Sequence, residues 1–308
     1  MSDIAAILVR RAITAAFTLA LLVTALFFFL NVVGNPLSMM LGEKGTAAQA
    51  EAIKVRLGLD KPLPVRYVQY VAGIFQGDLG TSWRTRRPVM EMILERVPAT
   101  LRLGTLALVL GLSFAIPIGL LAALRPGSWI DSFSRVIAVI ANSLPSFWLA
   151  ILLIIVFSVY LGVLPSTGRG SWKHLVMPSV VLATATVPLI MRVTRSAMLE
   201  VLNKDYVRTA RSKGLSEKAV IAHHALRNAM IPVTTVAALR VGEIIGGTVI
   251  IETVFAYPGV GRVTIEAMQF RDYPVVIATV GFVAAAIMIV TLITDILYTF
   301  LDPRIRLQ

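Results

Sequence analysis

The feature that most constrains this chain is a set of long stretches with almost no charge. Backbone that enters a bilayer must satisfy its amides within itself, so such stretches become helices or barrel strands. A helix needs roughly 20 apolar residues to cross. Six stretches meet or approach that length: 12–33, 99–124, 136–163 interrupted by Pro145, a short one at 178–191, 232–255 and 275–301. The first follows Arg10 and Arg11 and could be read as a signal peptide. Its apolar run is longer than the ~7–15 residues of a signal core, and no A-x-A site follows it, which favours a span. Pro117, Pro145 and Pro188 lie inside the stretches, where membrane helices tolerate proline better than soluble ones. The expected fold is an all-α membrane protein of six transmembrane helices, one domain over 1–308.

Composition agrees. The 308 residues are 57% hydrophobic and only 15% charged, against about a quarter charged for a soluble domain. There is no Cys, which excludes disulfides, Cys-based metal sites and thiol nucleophiles. The net charge of +12 would suggest nucleic acid in a soluble chain, but here the positive-inside rule explains it first, and no nucleic-acid partner is expected. Fourteen Lys/Arg fall in the N-terminus, the 125–135 loop, the 192–231 loop and the C-terminal tail. Four (Arg169, Lys173, Arg262, Arg271) fall in the short loops of the other side. Both termini and the 192–231 loop are therefore expected in the cytoplasm, with 34–98 outside.

Residues 205–232, DYVRTARSKGLSEKAVIAHHALRNAMIP, carry five basic residues against two acids between apolar runs. Gly214 stands where a helix would end, because glycine adopts the left-handed conformation without steric cost. Ser216 is a good N-cap for a second helix, and Leu215 with Val220 has the spacing of a hydrophobic staple. Ala219, Ala222, Leu226 and Ala229 then form a narrow apolar stripe at helical spacing. Pro232 ends the segment and opens the fifth span. The expectation is helix, Gly turn, helix with a basic outer face. A plain solvated loop remains the alternative, although such a loop needs no hinge, cap or stripe.

Other residues stand out within the spans. Arg240 and Glu243 lie at i, i+3 on one helix face, and Asp295 lies in the last span. Ionisable groups in a bilayer face a bundle interior or a wet cavity. These three either line a polar path or form a structural pair that orients helices. Arg102 and Glu252, near span ends, are expected to snorkel to the interface. Gly242 and Gly246 form a G-x-x-x-G pair suited to close helix packing, with packing inside the chain favoured over a subunit interface. The adjacent His223 and His224 point different ways on a helix and lack partners at ligand spacing, so no metal site is expected. In the long 34–98 segment, Val65, Val68, Ala72 and Phe75 recur at helical spacing. Such a helix suits the outer membrane face or a neighbouring subunit. Pro88 is expected to open another short helix carrying Val89, Ile93 and Val97.

The pattern Arg208-Thr209-Ala210-x-x-x-Gly214 followed by Ile231-Pro232 resembles the cytoplasmic signature loop of bacterial ABC importer permeases. The generic motif begins Glu-Ala-Ala and has a shorter Gly-to-Pro spacing. Both departures resemble the dipeptide/oligopeptide permease family, as do GLDKPLPVRYVQY (58–70), GDLGTSW (77–83), ERVPATLRL (95–103), ETVFAYPGVGR (252–262), RDYPVV (271–276) and DPRIR (302–306). The resemblance implies the type I ABC importer permease fold with a coupling helix-turn-helix loop at 192–231. It implies that Arg208, Thr209, Ala210, Gly214, Leu215, Ser216 and Glu217 fit a groove on a separate ATPase. Two ATPase subunits would carry ATP and Mg, with no cofactor in this chain. A second homologous permease and an extracytoplasmic solute-binding protein touching 34–98 complete the expected assembly, in the bacterial inner membrane.

The chain has no G-x-x-x-x-G-K-[ST] run, so an ATP site of its own is not expected, and it has no H-E-x-x-H or G-x-S-x-G for an intramembrane enzyme. A secondary transporter would show paired repeats, and the two halves show none. The resemblance leaves the solute among peptides, glutathione, opines and nickel chelates.

Overall fold

The apolar stretches fold as helices in the computed structural model of the chain, which describes residues 2–33 and 46–301. Residues 34–45 with Glu43, the DPRIR tail at 302–306 and the side chain of Asp295 lie outside the described residues. Helix α1 (Ser2–Val33) is followed by α2 (Ala47–Arg56) and α3 (Leu63–Phe75), and then by α4 (Val89–Leu124). Helix α5 (Trp129–Ser143) leads to α6 (Ser146–Leu153), which runs on as a π-helix over Ile154–Tyr160. After α7 (Lys173–Thr184), α8 (Val187–Leu202) and α9 (Asp205–Ser212), one turn at Glu217–Ala219 passes through a second π-helix, Val220–Leu226, into α10 (Arg227–Val254). The chain closes with α11 (Val260–Gln269) and α12 (Tyr273–Leu301). Among the described residues the one β feature is an isolated bridge between Thr81 and Pro88.

Four helical stretches are long and apolar enough to cross a membrane, and two bent pairs bring the spans to six. The bends fall where the sequence forbids continuous helix. Leu144 precedes Pro145 and is held extended (φ −92°, ψ 122°), and α5 meets α6 at 102°. The pair still advances through the bundle: Ala138 packs beside Ala115 and Met191, whereas Phe157 and Leu164 pack beside Phe255 and Tyr257. Helices α7 and α8 meet at 53° around Ala185 and Thr186, just before Pro188.

Several boundaries differ from the sequence expectation. The third span begins at Trp129, not at 136, because Ser128 caps it and accepts from the Asp131 amide at 3.4 Å. The fourth is not a short run at 178–191 but the bent α7–α8 pair over 173–202. Arg192, Arg195 and Glu200 hide its C-terminal half from a hydropathy reading. Pro88 does not open a separate short helix. It precedes the first turn of α4, and Val89 and Ile93 are buried against Val275 and Val276. At 36 residues α4 is about 54 Å long, well beyond a ~30 Å hydrocarbon core, so its first turns stand outside the apolar layer. Pro232 opens no span either. It lies inside α10, where Thr234 Oγ1 donates to the Met230 and Ile231 carbonyls near the proline.

A ridge of mostly small residues on α4 organises the core. Ala99, Leu103, Ala107, Gly111, Ala115, Gly119 and Ala123 recur every fourth residue, and all are buried. Helices α7, α8 and α10 pack along this ridge. The approach is closest at Gly119, where a Cβ would stand 2.5 Å from the Met191 carbonyl oxygen. Small residues in such a row let backbones come together where lipid supplies no hydrophobic drive. Helix α1 packs on α12, and α3 covers its C-terminal end. The packed face of α3 is not the Val65, Val68, Ala72, Phe75 stripe, which is exposed. Tyr67 and Tyr70 stack against Phe27 and Phe28 instead, and Arg66 bonds to Asn31.

Candidate functional site

The segment after α8 builds a two-helix projection at one end of the bundle. Gly214 sits at φ +78°, and its amide donates to the Arg211 carbonyl at 2.9 Å, closing α9. A Cβ there would meet nothing within 4 Å, so glycine is required by backbone conformation and not by space. The Ser216 hydroxyl accepts from the Ala219 amide at 3.4 Å, as its capping position requires. Val207, Ala210 and Val220 bury together under the turn. Arg208 remains 78% exposed beside Asp205, and Thr209 Oγ1 donates to the Asp205 carbonyl.

Across the turn Arg211 donates twice to Glu217, Nε to Oε2 at 3.1 Å and a terminal nitrogen to Oε1 at 2.7 Å. That bond raises the Arg211 pKa above its usual value. The pair clips the two arms together and was not foreseen from the sequence. A basic and an acidic residue flanking Gly214 at three residues on each side were the available signal.

Two local expectations need correction. Leu215 does not staple to Val220: it is exposed, while Val220 turns under Val207 and Ala210. The stripe of Ala219, Ala222, Leu226 and Ala229 also fails, because Ala222 is exposed. The buried residues are Val220, Ala225 and Ala229. The π-helical stretch adds a residue per turn, so the inward positions follow i, i+5 where a period of 3.6 was assumed. His223 is exposed and His224 half-buried in this stretch.

Three buried carboxylates tie the remaining structure. Beside the loop end, Asp131 of α5 accepts from Arg195 of α8 at 2.7 and 3.0 Å and from the Gly127 amide at 3.0 Å. At the opposite end Glu252 is fully buried, not snorkelling as expected, while Arg102 is exposed. Glu252 accepts from Thr100 Oγ1 at 2.6 Å and from the Arg262 amide at 3.1 Å, and Thr100 in turn accepts from the Val260 amide at 3.0 Å. A Cβ on Gly259 would collide with the Glu252 carboxylate, which explains the first of the two glycines in ETVFAYPGVGR. Nearby, Asp272 accepts from Ser82 Oγ at 2.5 Å and from the Trp83 and Arg84 amides at 2.9 and 3.3 Å. Trp83 lies on Tyr273, with ring centroids 5.4 Å apart, and Arg84 sits 3.5 Å over the Phe270 ring. GDLGTSW and RDYPVV are thus two halves of one unit.

Within the fifth span Arg240 and Glu243 form an ion pair, with Glu243 61% exposed. Gly242 faces α12, where a Cβ would lie 3.5 Å from Ile287, but a Cβ on Gly246 would meet nothing. A Cβ on Gly247 would lie 3.2 Å from Leu182, so Gly247 is the second glycine of α10 that packs within the chain.

The chain matches the model of the binding-protein-dependent transport system inner membrane component over residues 115–307, and the model of that component's N-terminal part over 4–104. It is 41% identical to "Dipeptide transport system permease protein DppB" of Escherichia coli (strain K12), covering 91% of this chain and 92% of that one. It is 39% identical to "Glutathione transport system permease protein GsiC" of Salmonella typhimurium (strain LT2), covering 94% and 95%. Among solved structures, an inward-facing MetNI methionine ABC transporter aligns with TM-score 0.57 at 20% identity, covering 69% of this chain and 97% of that chain. An amino acid ABC transporter with histidines aligns with TM-score 0.53 at 15% identity, covering 68% and 94%. These two likenesses concern the fold alone.

Proposed function

The chain belongs to the family of binding-protein-dependent transport system inner membrane components, and from that premise we propose that it is the permease subunit of an ATP-driven importer of peptides. The observation that carries this reading is near full-length similarity to a dipeptide permease. Glutathione, itself a peptide, is the second reading, favoured by the similarity to the glutathione permease.

In this reading the 205–217 projection is the coupling element. Arg208, Thr209, Ala210, Gly214, Leu215, Ser216 and Glu217 present the surface that enters a groove on an ATPase subunit. ATP and Mg stay on the ATPase subunits, since the sequence carries no P-loop run. The projection is bracketed by span helices. Helix α8 feeds it across Asn203 and Lys204, and helix runs unbroken from Glu217 to Val254. A displacement of the clipped turn therefore moves two spans together.

The outward face of α10 carries Leu239, Glu243, Gly246 and Ile250, spaced four, three and four residues apart, and all exposed. A carboxylate facing hydrocarbon is costly. This face therefore belongs to the translocation path, shared with a second homologous permease, with Arg240 holding Glu243 in orientation and Asp295 a further candidate. Both termini and the coupling projection are cytoplasmic in this reading. The loop joined by Ser82, Trp83 and Asp272 meets the extracytoplasmic binding protein.

The test is uptake into vesicles reconstituted with this chain, its second permease, the ATPases and the binding protein. A labelled dipeptide should accumulate only with ATP and binding protein, and excess glutathione should leave that uptake intact. Competition by glutathione would favour the second reading, and accumulation without ATP would contradict both.

A further inference from the structure

Helix α1 is held chiefly by α12, and only 6% of its most apolar window is buried within the chain. Along residues 10–18 an open cleft of about 500 Å³ lies between the two helices, lined by Arg10, Arg11, Thr14, Ala15 and Thr18 on one wall and Met288, Thr291 and Leu292 on the other. That volume falls within the roughly 300–1,000 Å³ typical of small-ligand sites. We propose that this cleft is a binding site for one anionic glycerophospholipid. The proposal rests on α1 being a membrane span and requires nothing of the transport reading.

Three observations converge on that ligand. The cleft adjoins the apolar window Val9–Val32, so its occupant must be at home at the boundary of a bilayer. Its mouth carries two guanidiniums one residue apart, and a guanidinium engages phosphate oxygens through paired donors. Along α1 the lining changes from Arg10 and Arg11 to Thr14 and Thr18, with Ala15 between them, while Met288 and Leu292 belong to the other wall. Arg10 to Thr18 spans eight residues, or about 12 Å of helix axis, the reach of a lipid headgroup from phosphate to glycerol esters. The threonine hydroxyls donate to carbonyls of their own helices, Thr14 to Arg10, Thr18 to Thr14 and Thr291 to Ile287. They therefore add polarity to the wall without needing a partner from the cleft. Basic pockets between membrane helices select anionic headgroups by this chemistry.

The test is native mass spectrometry of the full chain in mild detergent, titrated with dioleoylphosphatidylglycerol or dioleoylphosphatidylcholine at matched ratios. One retained phosphatidylglycerol should appear, favoured roughly tenfold or more over phosphatidylcholine, as two nearby basic side chains imply. Arg10→Gln with Arg11→Gln should abolish the preference. Because those arginines also orient α1, Ala15→Phe provides a second variant. It narrows the cleft and leaves both charges, and it should lower retention to the phosphatidylcholine level. Equal retention of the two lipids by the parent would overturn the site. So would unchanged phosphatidylglycerol retention in Ala15→Phe, which would leave only diffuse attraction to the arginines.

Discussion

The Arg211 guanidinium and the Glu217 carboxylate meet across Gly214 through two hydrogen bonds, closing the two arms of the turn into one unit. The pair is exposed, so it contributes little to folding. Its importance lies in stiffness. Reversing either charge alone should leave membrane insertion intact and lower ATP-dependent uptake. Reversing both should recover most of the loss, and the double-mutant cycle measures that coupling. Uptake at the parent level in both single variants would remove the clip from the mechanism.

Glu252→Ala should destabilise the chain strongly. It leaves the Thr100 hydroxyl and the Arg262 amide without their acceptor in a buried site, at about 1–3 kcal/mol for each orphaned donor. Gly259→Ala should act similarly by pushing the carboxylate off its donors. Glu243→Gln, at an exposed carboxylate, is the control. Thermal aggregation in detergent, followed by size-exclusion chromatography, ranks the three. A Glu252→Ala chain that melted with the parent would show that this carboxylate does not hold α4, α10 and α11 together.

Asp272→Ala should release the loop at Ser82, Trp83 and Arg84 while sparing the spans. Amide hydrogen exchange should speed up at Trp83 and Arg84, whose N–H groups lose their acceptor. If this loop meets the binding protein, stimulation of the ATPases by loaded binding protein should also fall. Unchanged exchange at both amides would show that the carboxylate does not hold the loop.

What the sequence revealed and what it hid divide along chain separation. The spans, Gly214 and Ser216 were legible because apolar runs and turn chemistry are local. Glu252 was misplaced because Thr100, its partner, is 152 residues away, and Asp272 finds Ser82 190 residues away. An isolated acid near a span end reads as a snorkelling group until its donors are seen. The stripe through Ala222 was misread because a π-helix leaves no mark in a pattern of 3.6. The ridge from Ala99 to Ala123 was present every fourth residue, but within a uniformly apolar stretch it has no polar face to set it off.

The orientation can be tested in a chain that has no cysteine of its own. Cys placed at Glu51 on α2 should react with an impermeant maleimide from outside, and Cys at Ser212 on α9 only after the membrane is opened. The motive is the excess of Lys/Arg on the Arg211 side. Labelling of Ser212→Cys in intact cells would reverse the assignment.

The central claim is that the turn at Gly214 docks on the ATPases and transmits their closure. Gly214→Val places a β-branched residue at φ +78°, a conformation that costs an ordinary residue about 1–2 kcal/mol and a β-branched one more. Arg208→Glu reverses an exposed charge on the same surface. The decisive measurement is recovery of the ATPase subunits with the affinity-purified permease, taken with dipeptide uptake by the same preparations. The expected result is a normally inserted chain that has lost uptake in both variants, with weakened ATPase recovery for Arg208→Glu that raised salt reproduces in the parent. Full ATPase recovery and full uptake in both variants would show that the segment is only a basic loop and that coupling lies elsewhere.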